Sequence, residues 1–407
     1  MKSILKGFAR ALALTAALVA CALAGAQPGV SDTEIRFGSS LVLSGPSAQL
    51  GQEMAAGMEA YFHHVNATGG IDGHRLRLIL RDDGYEPARA AANTTALIRQ
   101  DGVFALMGYV GTPTTNAAVP ILTDAGVPLV GAFTGVQSLR EPLKRYVYNV
   151  RASYEAEGVP LAKQLAVYGK VALFIQEDAY GDAVRDAMVK GLAKYGLSPV
   201  VVATIKRNAV DADSINKAAD LIAQSGASAI AVGSVYAPVG ALMAALHERK
   251  LYPVIASVSF IGTSALLERM GATAAGFGIS QVVPSPYSDS SPLMRQLHAD
   301  VEAWHDELVR RAQNATTPKE KADLLTQAKY AVRSYGVVEG YITAMVGVEG
   351  LRRCGEKLSR QRYADALDHL GTFDMHGYKV TFSPQDHSGS TFVEITLVDR
   401  TGTTVLR

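Results

Sequence analysis

Residues 103–133 read VFALMGYVGTPTTNAAVPILTDAGVPLVGAF, and this stretch decides the fold class. Two short apolar runs, Val103–Gly108 and Val127–Phe133, are typical of buried strands. The segment between them, Pro113–Ala125, has the apolar spacing of a helix. A strand, a helix and a second strand in this order predict two parallel strands joined by a crossover helix.

The same alternation continues on both sides of this stretch. Further strands are predicted at Thr33–Val42, Arg75–Arg81, Val171–Gln176, Pro199–Ile205, Ala227–Val232 and Val254–Phe260. Further helices are predicted at Ser47–Asn66, Pro87–Gln100, Asp182–Tyr195, Asp213–Gln224 and Pro238–Arg249. The aromatic and polar segment Tyr146–Tyr154 separates two such runs, which predicts an α/β fold of two doubly wound lobes.

The chain after the second run has a different pattern. Pro284–Pro292, rich in proline and serine, predicts a second crossing between the lobes, and the helical stretch after it ends near Leu370. Two alternating segments, Lys379–Phe382 and Phe392–Val398, then predict two more strands.

Composition excludes several classes of protein. The chain has 407 residues, with 39 Lys+Arg against 38 Asp+Glu, so no strong field is available to hold nucleic acid. A hydrophobic content of 48% with 19% charged residues excludes a disordered chain. The 2 cysteines are too few for a disulfide framework or a thiolate metal cluster.

The N-terminus has the features of a secretory signal peptide over residues 1–26. A basic start is followed by the apolar run Ala11–Ala24, which is shorter than the roughly 20 residues of a membrane-spanning helix. Ala24-Gly25-Ala26 predicts the cleavage site, and the alternative is lipidation at Cys21, because Leu18-Val19-Ala20-Cys21 resembles a lipoprotein box. Without residues 1–26, Lys+Arg falls to 36 against 38 Asp+Glu, and the mature chain is expected outside the cytoplasmic membrane.

No catalytic signature is present in the sequence. The motifs G-x-S-x-G, H-E-x-x-H, G-x-G-x-x-G and the phosphate-binding P-loop are all missing, so we expect no enzyme, no metal and no cofactor. His63-His64 is interpreted as a solvated pair on a helix, and Asp82-Asp83 as turn and capping residues. Cys354, near a helix end, is expected to be inert.

Polar residues follow the strand ends, where doubly wound sheets bind their ligands. Thr112 suits a helix N-cap, Pro113 suits the first helical turn, and the free N–H groups there would receive a carboxylate. Gly111 would let a ligand approach the backbone. A capped helix without a ligand explains these residues equally well. A second strand end carries Ala132, Phe133 and Thr134.

Three tyrosines, Tyr180, Tyr236 and Tyr335, follow or open further junctions of this kind. Packing explains a single tyrosine at such a position at least as well as ligand contact does. Their convergence on the same edge is what favours a binding site.

Three motifs in order make the sequence similar to a known family. These are Ser44-Gly45-Pro46, then Asn66-Ala67-Thr68-Gly69-Gly70-Ile71-Asp72-Gly73, then Asp82-Asp83-Gly84-Tyr85-Glu86-Pro87. The chain resembles the leucine/isoleucine/valine-binding family of type I periplasmic substrate-binding proteins, which serve ABC importers. The similarity continues through Ala179-Tyr180-Gly181 to Glu339-Gly340-Tyr341.

The resemblance implies two lobes joined by three hinge crossings, with a solute clamped between them. It places residues 27–151 and 284–387 in the N-terminal lobe and residues 152–283 and 388–407 in the C-terminal lobe. It also implies a periplasmic location and an ABC-transporter permease in the inner membrane as partner, and a monomer is expected. A ligand-sensing receptor subunit of the same fold is the alternative.

Carried over by position, the resemblance assigns the family's site residues. The carboxylate-binding segments fall on Thr112 and on Ala132-Phe133-Thr134, and Tyr180, Tyr236 and Tyr335 match positions on the cleft wall. Leu50 stands where an aromatic residue commonly covers the ligand, and Ser259 where an acid commonly receives the α-ammonium.

The loss of the acid at Ser259 leaves the ligand class open. A branched or hydrophobic amino acid needs an acid from elsewhere, such as Glu177, Asp178 or Glu155. An aliphatic or aromatic carboxylate without an α-ammonium needs none. Glu307–Lys329 is longer than in typical relatives and is expected to form a helical excursion away from the cleft.

Overall fold

The computed structural model describes residues 27–355, 357–401 and 405–406. The predicted signal peptide and the alternative at Cys21 lie outside the described residues. Among the residues described, no helix is long and apolar enough to cross a membrane.

The first sheet has five parallel strands in the order β2-β1-β3-β4-β5. They are β1 (Glu34–Leu41), β2 (Arg75–Asp82), β3 (Ala105–Met107), β4 (Leu129–Val130) and β5 (Val147–Tyr148). Strands β3 and β4 are apolar and buried along their whole length, because helices cover both faces of the sheet. We call this sheet and the helices packed on it the first lobe.

The second sheet repeats this order with β7-β6-β8-β9-β10 and adds two antiparallel strands at one edge. Its strands are β6 (Val171–Gln176), β7 (Val201–Ile205), β8 (Ala229–Gly233), β9 (Val254–Ser257), β10 (Gly278–Gln281), β14 (Glu394–Val398) and β15 (Val405–Leu406). This sheet and its helices form the second lobe. Two doubly wound lobes are therefore confirmed, and in both the strand order reverses beside the first strand, where such folds bind ligands.

The helices alternate with the strands along the chain. They are α1 (Ala48–Ala67), α2 (Pro87–Arg99), α3 (Thr112–Asp124), α4 (Tyr154–Ala166), α5 (Ala179–Ala193), α6 (Ala212–Ser225), α7 (Tyr236–Glu248), α8 (Thr263–Met270), α9 (Pro292–Gln313), α10 (Pro318–Tyr330), α11 (Tyr335–Cys354) and α12 (Arg360–Asp368). Many begin at a side-chain cap, as α5 does, where the Asp178 carboxylate accepts from the Tyr180 N–H at 2.9 Å.

The chain passes between the lobes after β5, after β10 and again before β14. The first and third crossings run side by side, because the Asn149 N–H donates to the His387 carbonyl and the Ser390 N–H to the Val150 carbonyl. Three hinge crossings are therefore confirmed, and the domain boundaries at 151, 283 and 387 stay a prediction.

Several predicted elements have different limits in the structure. The segment Val254–Phe260 was expected to be one strand, but β9 ends at Ser257 and a 3₁₀ turn follows at Ser259–Ile261. The segment at Lys379–Phe382 belongs to a separate antiparallel sheet of β11 (Gly371–Met375), β12 (Tyr378–Ser383) and β13 (Asp386–Gly389). Hairpin strands with one exposed face carry a weaker apolar signal than buried parallel strands.

The prediction that Glu307–Lys329 leads away from the cleft is wrong. Helices α9 and α10 form an antiparallel excursion over α1, and the end of α10 returns to the space between the lobes. There the Lys329 ammonium lies 3.6 Å from the carboxylate of Glu268 on α8 of the second lobe.

Helices α1 and α11 make the most extensive helix pair of the first lobe, and glycines let their backbones touch. A Cβ added at Gly57 would lie 2.1 Å from the Val337 carbonyl oxygen, and one at Gly340 would lie 2.2 Å from that of Met54. Neither helix can accept a methyl group at these positions without separating. The spacing matters for function because both helices carry residues of the cleft described below.

We expect Gly57→Ala to lower the free energy of unfolding by about 1–3 kcal/mol, because its methyl group overpacks this contact. The matched control is Gly240→Ala in α7, where the nearest atom would lie at an ordinary 3.4 Å. There the substitution should stabilise by up to about 1 kcal/mol through helix propensity. Urea midpoints measure both, and a shift of the same sign in the two variants would contradict the packing argument.

Candidate ligand-binding cleft

Two threonine hydroxyls meet at the carboxyl ends of β3 and β4. Thr112 opens α3 and Thr134 follows β4, and their Oγ1 atoms lie 2.6 Å apart in a hydrogen bond. Both side chains are buried, and the Tyr154 hydroxyl lies 3.3 Å from Thr134 Oγ1. The structure thus brings together the two segments that the sequence placed at one sheet edge. Ala132 and Phe133 lie in the short segment that leads from β4 to Thr134.

The backbone beside this pair is covered by a side chain of the protein itself. Gly111 has a φ of +97°, and a Cβ there would lie 2.1 Å from Cε2 of Tyr85. The open approach expected at Gly111 is therefore filled by the Tyr85 ring. Its hydroxyl reaches the amide of Gln176 in the second lobe, 3.5 Å away.

An aromatic cluster lies between the lobes next to the hydroxyl pair. Phe260, carried by the second lobe, has its ring centroid 5.3 Å from that of Phe133 and 6.2 Å from that of Tyr85 in the first lobe. Tyr180 completes the cluster at 4.7 Å from Phe260 and is fully buried. The lobes are therefore in contact across the cleft.

Leu50 and Tyr236 meet at the opposite side of the cleft. A Cβ on Gly262 would lie 2.7 Å from Cδ2 of Leu50 and 3.0 Å from Cδ1 of Tyr236. The Tyr236 hydroxyl is hydrogen-bonded to the backbone of Gln49, and burial raises its pKa to about 12. Leu50 thus packs against Gly262 of the second lobe and lines the cavity.

Between these groups lies a narrow cavity with room for about one water molecule. Its lining includes four of the nine predicted site residues, which are Leu50, Phe133, Ser259 and Tyr335. The other five, which are Thr112, Ala132, Thr134, Tyr180 and Tyr236, lie outside this lining. Two acids that the sequence did not single out as ligand residues, Glu53 and Glu339, complete one wall.

A buried guanidinium forms the base of the cleft at the first crossing. Arg151 has no exposed side-chain surface, and its Nη2 lies 2.9 Å from Glu157 of α4 while its Nη1 lies 3.4 Å from Glu339 of α11. It also donates to the Ser259 hydroxyl. One cation therefore joins an acid of each lobe.

The Glu157 carboxylate holds the segment that carries Ser259. It accepts from the Ser259 N–H at 2.7 Å and from the Ser280 hydroxyl at 2.6 Å. Glu157 is fully used by these bonds and by Arg151, so it is a positioning group and not a free acid.

Glu53 and Glu339 are the acids that face the cavity. Glu53 accepts from Gln49 and from the Ser334 hydroxyl, both at 2.8 Å, at the N-terminus of α11. Burial raises the pKa of both carboxyls, that of Glu339 to about 7 even though Arg151 opposes the shift. A cation placed between these two carboxyls would stabilise their charged forms.

The substitutes weighed for the missing acid are not in the cavity. Glu177 accepts from Thr204, Asp178 caps α5 and faces Arg207, and Glu155 pairs with Lys190 on the surface. That part of the prediction is wrong. Glu339 lies within the motif Glu339-Gly340-Tyr341, but the sequence alone does not show which face of α11 turns toward the cleft.

The other chemical candidates have structural partners. His63 and His64 are half-buried rather than fully solvated: His64 lies 2.9 Å from Asp300 of α9, and His63 packs against Trp304. Asp82 accepts from the N–H groups of Leu43 and Gly84, which confirms its turn role. Among the described residues, no group of three or more His, Cys, Asp or Glu could hold a metal ion.

The model of the periplasmic binding protein family matches residues 34–403 of the chain. This chain belongs to that family. The Leu/Ile/Val-binding protein homolog 7 of Brucella suis is 31% identical over 213 residues, which cover 50% of this chain and 53% of that protein. The chain spans about half the length of the curated relatives it matches.

Two solved structures extend the comparison over the whole cleft. A possible leucine/isoleucine/valine-binding protein from Rhodopirellula baltica has a TM-score of 0.79 and 30% identity, covering 92% of this chain and 96% of that one. A substrate-binding periplasmic protein from Ralstonia solanacearum has a TM-score of 0.80 and 27% identity, covering 92% and 100%. The resemblance to the leucine/isoleucine/valine-binding family is confirmed, and the family consists of binding proteins and not of enzymes.

The raised pKa of Glu339 makes stability depend on pH. Its folded value of about 7 lies above the ordinary 4.5, so its contribution is complete below pH 4.5 and is lost as the pH rises through 7. We expect the stability advantage of the wild type over Glu339→Gln to shrink between pH 5 and pH 8, as measured by urea midpoints. The control is Glu177→Gln at an exposed position, and equal pH profiles for wild type and Glu339→Gln would contradict the assignment.

Proposed function

We propose that the chain is the extracytoplasmic substrate-binding protein of an ABC importer, and that its solute is a small amino acid with a hydrophobic side chain. The observation that carries this proposal is the cavity between the lobes, where Glu53 and Glu339 face Ser259. Family membership supports the transport role, and the acids support the class of solute.

The α-ammonium belongs beside these two acids. An ammonium buried without a carboxylate costs several kcal/mol, which is why Ser259 argued against an amino acid. Glu53 and Glu339 remove that objection, because both line the cavity that Ser259 also lines. The acid is supplied by the first lobe here and not by residue 259 of the second.

The carboxylate belongs at the hydroxyl pair. Thr112 and Thr134 each carry a buried hydroxyl, and Thr112 opens a helix whose first N–H groups favour an anion. In the closed cleft one of the two hydroxyls donates to the other, so a carboxylate would replace that bond with one from each threonine.

Entry of such a solute requires the lobes to separate. The closed cavity has room for about one water molecule, far less than an amino acid needs. Because Arg151, Phe260 and Tyr236 contact the first lobe from the hinge or the second lobe, the solute must replace contacts from both sides. Closure then follows from the greater number of contacts that the solute makes in the closed state.

The partner in this proposal is an ABC-transporter permease, and the location is the periplasm. Relatives are named as amino acid-binding and Leu/Ile/Val-binding proteins, so the sensory alternative is not favoured. A monomer stays a prediction.

L-Leucine and 4-methylpentanoate, which differ only by the α-ammonium, test the class of solute. After unfolding and refolding to strip any bound solute, calorimetry should show that wild type prefers L-leucine by at least about tenfold. Glu339→Gln should lower that preference, and Glu177→Gln should not. Equal binding of both compounds to wild type would show that the solute is a simple carboxylate.

The hydroxyl pair is tested by Thr134→Val. Loss of a hydrogen bond to a charged group costs about 1.5–3 kcal/mol, so affinity for the bound solute should fall roughly tenfold or more. Thr204→Val, at an exposed hydroxyl of β7, is the matched control. An unchanged affinity of Thr134→Val in calorimetry would show that Thr134 does not bind the carboxylate.

A further inference from the structure

Phe260 lies in the aromatic cluster between the lobes, against Phe133, which lines the cavity and directly precedes Thr134 of the hydroxyl pair. The side chain is fully buried, although it comes from a loop of the second lobe that points at the first. Its ring packs between Phe133 and Tyr85 of the first lobe and Tyr180 of the second.

The ring cannot easily move aside, because its loop is held at both ends. Before it, the Ser259 N–H is bonded to the buried carboxylate of Glu157 at 2.7 Å. After it, Gly262 has a φ of +83° and lies against Leu50 and Tyr236 so closely that even a Cβ would collide. The ring therefore enters and leaves the first lobe together with the second lobe.

We propose that Phe260 is the residue that sets the size of the solute side chain. Its ring takes up the apolar part of the cleft, so that wild type accepts a short aliphatic side chain and rejects an aromatic one. Replacement by a smaller residue leaves a space walled by Phe133, Tyr85 and Tyr180, which is suited to an aromatic ring. This inference rests on the proposed function for the headgroup, but the side-chain size it predicts is independent of that headgroup.

The experiment compares two pairs of compounds that differ only in side-chain size. L-Valine and L-phenylalanine form one pair, and 3-methylbutanoate and 3-phenylpropanoate form the other, without the ammonium. Calorimetry gives the ratio of dissociation constants within each pair for wild type, Phe260→Ala and Phe260→Leu. The leucine variant keeps an apolar side chain and serves if the alanine variant fails to fold.

The matched control is Phe277→Ala. Phe277 is a buried phenylalanine of the second lobe that immediately precedes β10, at the end of that strand opposite to the cleft. Phe277→Ala should lower the free energy of unfolding, as Phe260→Ala does, by leaving a buried cavity, but it should not change which solute binds.

We expect the ratio to shift toward the aromatic compound by at least about tenfold in Phe260→Ala, by less in Phe260→Leu, and not at all in Phe277→Ala. Unchanged ratios in both Phe260 variants, with binding intact, would show that Phe260 does not set the side-chain size, and would leave the proposed solute class standing. A shift seen only with the carboxylate pair would support Phe260 and overturn the amino-acid class. Absence of binding by every form to all four compounds would overturn both.

Discussion

The cleft depends on one buried charge, the guanidinium of Arg151. A cation without exposed surface must be matched by anions, and here one comes from α4 and the other from α11. Since Arg151 lies on the first crossing, its partners tie each lobe to the hinge itself. Glu157 extends the tie to the Ser259 loop, and that loop carries Phe260. The distance between the lobes, the position of the loop and the field in the cavity all follow from this arrangement.

The proposed site has two polar groups, with a cluster of aromatic rings beside them. The paired hydroxyls of Thr112 and Thr134 form one group, and the acids Glu53 and Glu339 form the other. This keeps the family's anchor for a carboxylate while moving the acid from the second lobe to the first. An acid on α11 can take part in closure, because Glu339 of this helix is already paired with Arg151 on the hinge crossing.

The fold, and the meeting of two segments of the proposed site, could be predicted from sequence for a physical reason. Buried parallel strands are apolar without interruption, and parallel strands end at one edge, which brought Thr112 and Thr134 within 2.6 Å as expected. The acids Glu53 and Glu339 could not be found this way, because their meeting depends on how α1 packs on α11. Phe260 was missed because the apolar run Val254–Phe260 suggests a single strand, whereas β9 ends at Ser257.

The excursion of α9 and α10 bears on how long a solute stays bound. Its last turn places Lys329 3.6 Å from Glu268, and that pair joins a helix of the first lobe to one of the second. Separation of the lobes increases the distance between Lys329 and Glu268. Their attraction therefore stabilises the closed state and weakens as the cleft opens. Both side chains are more than half exposed, and salt therefore screens the attraction. If the lobes close on a solute as proposed, the ionic strength of the surroundings acts on its dwell time, through residues that need not touch it.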